Sequence, residues 1–138
     1  MQKVILDTNI IVSGLIQKSF PYLILNLYFE REIELCLSEN LMNEYIEVLN
    51  RDKFSQFQDF RAKADTVISD INSTASYYSP KKKVKKIRDP DDNMLLELAW
   101  ECKADFLVTG NTNDFTIKKY KRTKIVTPRE YWELHKPG

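Results

Sequence analysis

The chain has 138 residues, of which 43% are hydrophobic and 30% charged, so one domain with a substantial core is expected and disorder is not. The three glycines form neither a dinucleotide-binding motif nor a P-loop, and the single histidine, His135, excludes a Ser-His-Asp triad in the body of the fold. Two lone cysteines form no CxxC motif. Carboxylates remain for catalysis, and they favour hard divalent cations.

The predicted elements alternate between strands and helices. In chain order they are a strand at 3–7, helices at 10–17 and 21–30, a strand at 34–37, helices at 39–50, 55–72 and 89–102, strands at 106–109 and 124–126, and a helix at 128–135. This alternation predicts an α/β fold with a mostly parallel sheet covered by helices on both faces. In such sheets the ligand crevice lies beyond the carboxyl ends of the strands.

The location of the protein follows from the same composition. The N-terminal sequence is not typical of a signal peptide, because a run of only three apolar residues, 4–6, precedes an acid. No apolar run approaches the length of a membrane span, and two lone cysteines fit a reducing compartment. We therefore expect a cytoplasmic protein that forms a single domain over residues 1–138 and has no membrane segment.

Asp7 and Glu44 are candidate functional acids, and each has a structural alternative. Asp7 is the last residue of the first predicted strand, where it faces the crevice or caps the next helix, although Asn9 is also available as a cap. Glu44 lies at the edge of the apolar face of its predicted helix, whereas Glu47 lies opposite that face. A half-buried acid such as Glu44 needs either a metal or a basic partner.

The sequence Asp89-Pro90-Asp91-Asp92 is typical of a helix start, with Asp89 as the N-cap and Pro90 in the first turn. This explanation accounts for Asp89 and Asp91. It accounts less well for Asp92, which projects to the same side as apolar residues later in the helix. We therefore predict a functional role for Asp92 and structural roles for Asp89 and Asp91.

The strand predicted at 106–109 ends at Thr109, and a turn-rich cluster with Asn111 and Asp114 follows it. Turn formation alone explains such residues, but their position at the carboxyl end of a strand also favours a place in the site. Asp105, at the other end of that strand, is expected to lie far from the crevice.

The net charge of +1 hides an uneven distribution. Residues 1–75 carry seven Lys/Arg against eleven Asp/Glu, and residues 76–138 carry fourteen against nine. Eleven of the basic residues lie in two short runs, at 81–88 and 118–124. Such runs are often solvated loops, but two of them flanking an acidic motif favour a polyanion. We expect a basic rim beside the crevice, formed by Lys82, Lys83, Lys86, Lys118 and Lys119.

Four segments in this order resemble the PIN-domain family, in particular a branch similar to VapC toxins of toxin–antitoxin pairs. They are Leu6-Asp7-Thr8-Asn9, Asn43-Glu44-Tyr45, Arg88-Asp89-Pro90-Asp91-Asp92-Asn93 and Leu107-Val108-Thr109-Gly110-Asn111. The resemblance implies a three-layer α/β/α sandwich with Mg²⁺- or Mn²⁺-dependent ribonuclease activity. Its acidic, metal-binding set maps onto Asp7, Glu44 and Asp92, with Asn9, Thr109 and Asn111 in support. It also implies an RNA substrate, an antitoxin partner and a homodimer.

The chain departs from this pattern at Asn111, where many members have Asp. Asp114 supplies the missing charge as a further catalytic acid, or the site holds one metal rather than two. Two other functions stay open: a PIN-like module that binds RNA or a partner without turnover, and a phosphatase with Asp7 as nucleophile. The phosphatase usually needs a second Asp two residues later, where this chain has Asn9.

Overall fold

A computed structural model describes residues 1–111 and 115–138 of the chain. Its elements, in chain order, are β1 (Lys3–Leu6), α1 (Thr8–Ile16), α2 (Phe20–Phe29), β2 (Glu34–Leu37), α3 (Glu39–Leu49), α4 (Phe60–Thr74), β3 (Ser76–Tyr77), α5 (Pro90–Cys102), β4 (Phe106–Val108), β5 (Lys119–Tyr120), β6 (Thr123–Val126) and α6 (Pro128–Glu130). A 3₁₀ helix at Asp52–Gln56 precedes α4, and a π-helix at Tyr131–His135 continues α6.

The strands of the described residues form one sheet in the order β3-β2-β1-β4-β6-β5. All neighbouring pairs are parallel except β5 and β6, which form an antiparallel hairpin at one edge. The chain first adds β2 and β3 on one side of β1 and then continues with β4 on the other side. This reversal between β1 and β4 is the kind of switch point where open parallel sheets bind ligands.

Helices cover both faces of the sheet. The chain steps in one direction from β1 to β3 and in the opposite direction from β3 to β4. Because parallel crossovers are right-handed, α1 to α4 lie on one face and α5 lies on the other. The contacts agree, since α1 contacts α2, α3 and α4, while α5 contacts β1 and β2. The predicted three-layer α/β fold is confirmed.

The core explains why the strands are apolar throughout rather than alternating. Val4, Ile5 and Leu6 of β1 are all fully buried, because both faces of this central strand are covered.

No single helix among the described residues is long and apolar enough to cross a membrane. The pair α1 and α2 passes that test only when joined across a bend of 101°, and Ile11 and Ile24 from these two helices are buried in the core.

The elements differ from the sequence prediction in three places. The helix predicted at 55–72 begins only at Phe60, because the residues before it form the 3₁₀ helix, whose Phe54 ring stacks on Phe60 at 5.1 Å. The two-residue strands β3 and β5 were not predicted, because so short a segment has no readable alternation. The closing helix is α-helical only in its first turn and then widens to a π-helix.

Candidate active site

Asp7 lies at the switch point of the sheet, immediately after β1. Its backbone N–H donates to the carbonyl oxygen of Val108 at 3.0 Å, which extends the pairing of β1 with β4 by one residue. Its carboxylate Oδ2 accepts a hydrogen bond of 2.7 Å from the hydroxyl of Thr109, which follows β4. The ends of two neighbouring strands therefore fix both the backbone and the side chain of Asp7, which is only 9% exposed.

The environment of Asp7 disfavours its charge. Burial raises the pKa of this carboxyl group above its ordinary value, and the negative charge of Asp89 raises it further. The hydrogen bonds from the Thr109 hydroxyl and the Thr8 backbone oppose this rise. The Asp7 side chain makes no capping hydrogen bond to α1. A buried acid under such conditions suits a bound cation better than a helix cap.

Glu44 reaches the same region from α3. Its Oε2 accepts a hydrogen bond from the hydroxyl of Thr8, the neighbour of Asp7. Burial raises the pKa of Glu44, the Thr8 hydrogen bond opposes the rise, and the charges of Asp91 and Asp7 add to it. Glu47, one turn later, is exposed and pairs with Arg51 at 2.9 Å. The half-buried position predicted for Glu44 and the exposed one for Glu47 are confirmed.

The acids in the first turn of α5 differ in their burial and in their hydrogen bonds. Asp89 is the N-cap, and its Oδ1 accepts a hydrogen bond of 2.9 Å from the backbone N–H of Asp91. Asp91 is exposed, whereas Asp92 is buried with 6% of its surface exposed. The side-chain amide of Asn111 donates to Asp92 Oδ2 at 3.4 Å. Asp92 is therefore buried against Asn111 and Asp89 caps the helix, and the functional role of Asp92 stays a prediction.

Hydrogen bonds connect the three acids along the carboxyl edge of the sheet. The Thr109 hydroxyl accepts a hydrogen bond of 3.0 Å from the backbone N–H of Asn111 while donating to Asp7. Thr109 and Asn111 thus join Asp7 to Asp92, and Thr8 connects the Asp7 segment to Glu44. The structure thus brings Thr109 and Asn111 together with Asp7 and Asp92, and their supporting role in a functional site stays a prediction.

The donor chemistry of these acids fits a hard divalent cation. Mg²⁺ and Mn²⁺ prefer oxygen ligands, and the carboxyl groups of Asp7 and Glu44 have pKa values raised by burial and by neighbouring negative charge. Within residues 1–111 and 115–138, however, no group of three Asp, Glu, His or Cys side chains is arranged to hold a metal ion. Metal binding by Asp7, Glu44 and Asp92 stays a prediction, and Asp114 lies outside the described residues.

Three residues near Asp7 differ from the expectation. Asn9 does not cap α1; it lies exposed inside the helix, because α1 begins at Thr8 directly after the strand end. Thr8 was not predicted as a site residue, although its position beside Asp7 is the signal for it. Tyr45 was also missed: it is fully buried, and its hydroxyl donates to the carbonyl oxygen of Leu6. Tyr45 thereby fixes α3, and with it Glu44, to the end of β1.

The basic residues approach the site from both runs. Lys118 lines a cavity of about 330 Å³ together with Thr109 and Asn111. Lys86 is tied to the start of α5, because Asn93 Oδ1 accepts the backbone N–H of Lys86 at 3.1 Å. The other predicted lysines are exposed, namely Lys82, Lys83 and Lys119. The structure places Lys118 beside Thr109 and Asn111, and it places the backbone of Lys86 beside the start of α5. The binding of RNA by these lysines stays a prediction.

Other parts of the described chain do not belong to this site. Asp105 lies at the opposite edge of the sheet, as expected, where it accepts a hydrogen bond from the backbone of Lys3 and pairs with Arg122 at 2.8 Å. A larger groove of about 710 Å³ is lined by residues of α1, α2 and α4. Its only lining acid is Asp70, which pairs with Arg31 at 2.7 Å, so the groove lacks the chemistry of the carboxyl edge.

Comparisons with known proteins agree with this geometry. "Uncharacterized protein MJ1680" of Methanocaldococcus jannaschii is 27% identical over 140 residues, which cover 95% of this chain and 90% of that protein. Residues 3–113 match the PIN domain family, and this span includes Asp7, Glu44 and Asp92. PIN domains are in general nucleases that depend on metal ions. With its parallel sheet and the acids at the carboxyl edge, the chain belongs to the PIN domain family.

Proposed function

We propose that this protein is an endoribonuclease that hydrolyses RNA phosphodiester bonds with Mg²⁺ or Mn²⁺, and that it is the toxin of a toxin–antitoxin pair. The observation that carries the nuclease is the placement of Asp7 and Glu44, held by Thr109 and Thr8 at the switch point of the sheet. Family membership supports the nuclease chemistry. RNA as the substrate and the toxin role rest on the likeness of the motifs to the toxin branch.

The cation would be held by Asp7, Glu44 and Asp92. When bound, it lowers the pKa of water and offsets the negative charge that develops on the leaving oxygen. The Thr109 hydroxyl orients the Asp7 carboxylate and favours its ionised form, and the Thr8 hydroxyl does the same for Glu44. Lys118, beside Thr109, offers positive charge to the phosphate backbone.

A mechanism with paired histidines is not available to this chain. His135 is its single histidine, and its ring lies 4.9 Å from that of Phe106, the first residue of β4. Phe106 marks the amino edge of the sheet, whereas the acids lie at the carboxyl edge. Hydrolysis by water is therefore proposed, which leaves 5′-phosphate and 3′-hydroxyl ends.

One observation favours a second function, a PIN domain that binds RNA without turnover. Asn111 donates a hydrogen bond to Asp92 where many members of the family have a further acid, so the site carries less negative charge for a cation. The two functions differ in a single measurement, which is cleavage of bound RNA in the presence of Mn²⁺.

The experiment compares cleavage of a single-stranded RNA by the wild-type protein in Mn²⁺ and in EDTA. Its variants are Glu44→Gln and, as a control on the same helix, Glu47→Gln. We expect cleavage in Mn²⁺ only, an unchanged rate for Glu47→Gln, and a loss of at least about tenfold for Glu44→Gln, since even partners of metal ligands contribute that much. Products with 2′,3′-cyclic phosphate ends, or equal cleavage in EDTA, would overturn the proposed mechanism. Binding without cleavage in Mn²⁺ would favour the second function.

The toxin role and the nuclease are tested separately. Co-expression with the product of the neighbouring open reading frame is expected to yield a complex whose ribonuclease activity is lower than that of the protein alone. If the nuclease is active and no such inhibition occurs, the toxin role is wrong and the enzymatic proposal is unaffected.

A further inference from the structure

The basic segment, residues 81–88, is attached to α5 along its length. Three side chains of α5 at four-residue spacing, which places them on one side of the helix, accept backbone N–H groups of the segment. The hydrogen bonds are Lys86 N and Ile87 N to Asn93 Oδ1 at 3.1 and 2.8 Å, Val84 N to Glu97 Oε2 at 3.0 Å, and Lys81 N to Glu101 Oε1 at 3.1 Å. The segment therefore runs antiparallel to α5.

This attachment fixes which side chains of the basic segment face solvent. Val84 is buried in the core and Ile87 packs against it, whereas the lysines of the segment are exposed. Because the backbone is already ordered, a ligand that contacts these lysines does not have to order the loop first. The segment thus differs from the solvated loop that charge runs commonly form.

One lysine from each basic run lies against a pair of aromatic rings. The rings of Trp100 on α5 and Tyr120 on β5 are 6.3 Å apart in an edge-to-face arrangement, and both side chains are partly exposed. The Lys121 ammonium lies 4.1 Å from the centre of the Trp100 ring, and the Lys86 ammonium lies 5.9 Å from that of Tyr120. Lys121 belongs to the turn of the β5–β6 hairpin, so the second run reaches α5 at this point.

We propose that Trp100 and Tyr120, together with Lys86 and Lys121, form a binding site for single-stranded RNA beside α5. A base stacks on the Trp100 ring as the flexible Lys121 side chain turns to a neighbouring phosphate, and Lys86 binds another phosphate. Aromatic rings interleaved with cations are how proteins bind single strands, whose base faces are free, and a duplex offers no such faces.

If the proposed function holds, the Trp100 site lies on the path by which the RNA substrate reaches the acids. Trp100 follows Asp92 by eight residues of the same helix, a distance of about 12 Å along the axis. A strand held at Trp100 and passing the lysines nearest Asn93 would therefore reach the carboxyl edge within a few nucleotides.

The two tryptophans of the chain allow a matched test. Trp132 also carries a lysine on its ring, since the Lys136 ammonium lies 4.0 Å from the ring centre, but it belongs to the closing π-helix. Trp132→Leu leaves Trp100 as the single tryptophan, and Trp100→Leu leaves Trp132. Each variant is titrated in EDTA, which prevents cleavage, with a single-stranded RNA, the same RNA as a duplex, and heparin as a polyanion without bases.

We expect single-stranded RNA to change the fluorescence of Trp132→Leu more than duplex or heparin does, because these polyanions can draw Lys121 from the ring but offer no free base face. We expect the fluorescence of Trp100→Leu to stay unchanged. The Kd of Trp100→Leu for the single strand is expected to rise roughly 5- to 150-fold, the range that corresponds to one stacked base. Equal Kd values for the wild type and Trp100→Leu, or an equal fluorescence change with heparin, would overturn the site.

A second variant tests the site without removing an aromatic ring. Lys121 has a φ of 54°, which Asn tolerates well, so Lys121→Asn preserves the turn while removing the cation. We expect the salt dependence of binding to become shallower by about one phosphate contact, and an unchanged slope would argue against the site. A fluorescence response without Mn²⁺-dependent cleavage would refute the proposed nuclease alone; cleavage with no effect of either variant on binding would refute this site alone.

Discussion

The hydroxyl of Thr109 should matter more for stability when Asp7 is charged. Thr109→Val preserves the shape of the side chain but removes the donor to Asp7 Oδ2, at 2.7 Å, and the acceptor for Asn111 N, at 3.0 Å. Thr109 is 2% exposed, so water does not readily replace the lost partner. The substitution therefore isolates the hydrogen bonds that hold Asp7.

The expected loss depends on pH, and its sign follows from the Asp7 pKa. Hydrogen bonds contribute about 0.5–1.5 kcal/mol between neutral groups and about 1.5–3 kcal/mol to a charged group. Losing both bonds thus costs about 1–3 kcal/mol when Asp7 is protonated and about 2–4.5 kcal/mol when it is ionised. Burial raises the folded pKa of Asp7 above its unfolded value, so the free energy of unfolding falls as pH rises from the unfolded pKa through the folded one. Thr109→Val removes a hydrogen bond that lowers the pKa of Asp7. The free energy of unfolding of this variant therefore continues to fall up to a higher pH than that of the wild type.

The measurement is urea denaturation of metal-free protein in EDTA at pH 4 and pH 8. Thr123→Val is the matched control, because Thr123 is fully buried and its hydroxyl donates to the neutral carbonyl oxygen of Ala104 at 2.6 Å. Its loss should be about 0.5–1.5 kcal/mol at both pH values. If Thr109→Val destabilises the protein no more at pH 8 than at pH 4, Asp7 does not carry the charge inferred here.

Two further predictions concern α5. In the Mn²⁺ ribonuclease assay, Asp92→Asn should abolish cleavage with little loss of stability. Asp89→Asn should retain most of the activity, because Asn is an equally good N-cap. The reverse result would show that the roles of Asp89 and Asp92 are exchanged. Asn93→Ala removes three hydrogen bonds to the basic segment, so urea denaturation should show a loss of about 1.5–4.5 kcal/mol, and binding of single-stranded RNA should weaken. The control is Asn50→Ala, because Asn50 is exposed, donates to Ile46 O at 2.7 Å and accepts from Arg61 at 2.7 Å. A loss for Asn93→Ala that is no larger than that of Asn50→Ala would contradict the attachment.

Much of the fold could be predicted because local signals and tertiary structure agree. Ser38 caps α3 by accepting the backbone N–H of Leu41 at 3.1 Å, and Asp89 caps α5 as its position suggests. The two-residue strands β3 and β5 could not be predicted, because their pairing depends on neighbouring strands rather than on their own sequence. Thr8 entered α1 although Asn9 is the better cap, because the chain turns directly from β1 into the helix.

The acids of the site were recognisable from their positions at element ends, but their partners were not. Thr109 is 102 residues from Asp7 and Thr8 is 36 residues from Glu44, and no local pattern reports contacts over such separations. The same holds for Cys36 and Cys102, which no motif relates and which lie close enough in the fold for each thiol to shift the pKa of the other.

The charge of the basic segment could be predicted from the sequence, but its position in the fold could not. Its lysines are obvious in the sequence, but the stripe of Asn93, Glu97 and Glu101 reads as an ordinary polar helix face. Only the path of the backbone reveals that this stripe binds the segment.

The acids of the candidate site have different hydrogen-bond partners from the acids elsewhere on the surface. Within the described parts of the chain, the arginine ion pairs use acids outside the site, among them Asp70, Asp105 and Glu133. Asp7 and Glu44 are held instead by hydroxyl groups of threonines. An arginine would neutralise the carboxylate and compete with any cation or positive ligand, whereas a hydroxyl orients the oxygen and leaves its charge in place. Asp7 and Glu44 are thus held without an arginine partner among the described residues, and a divalent cation at this place would offset the burial and the neighbouring negative charge that raise their pKa values.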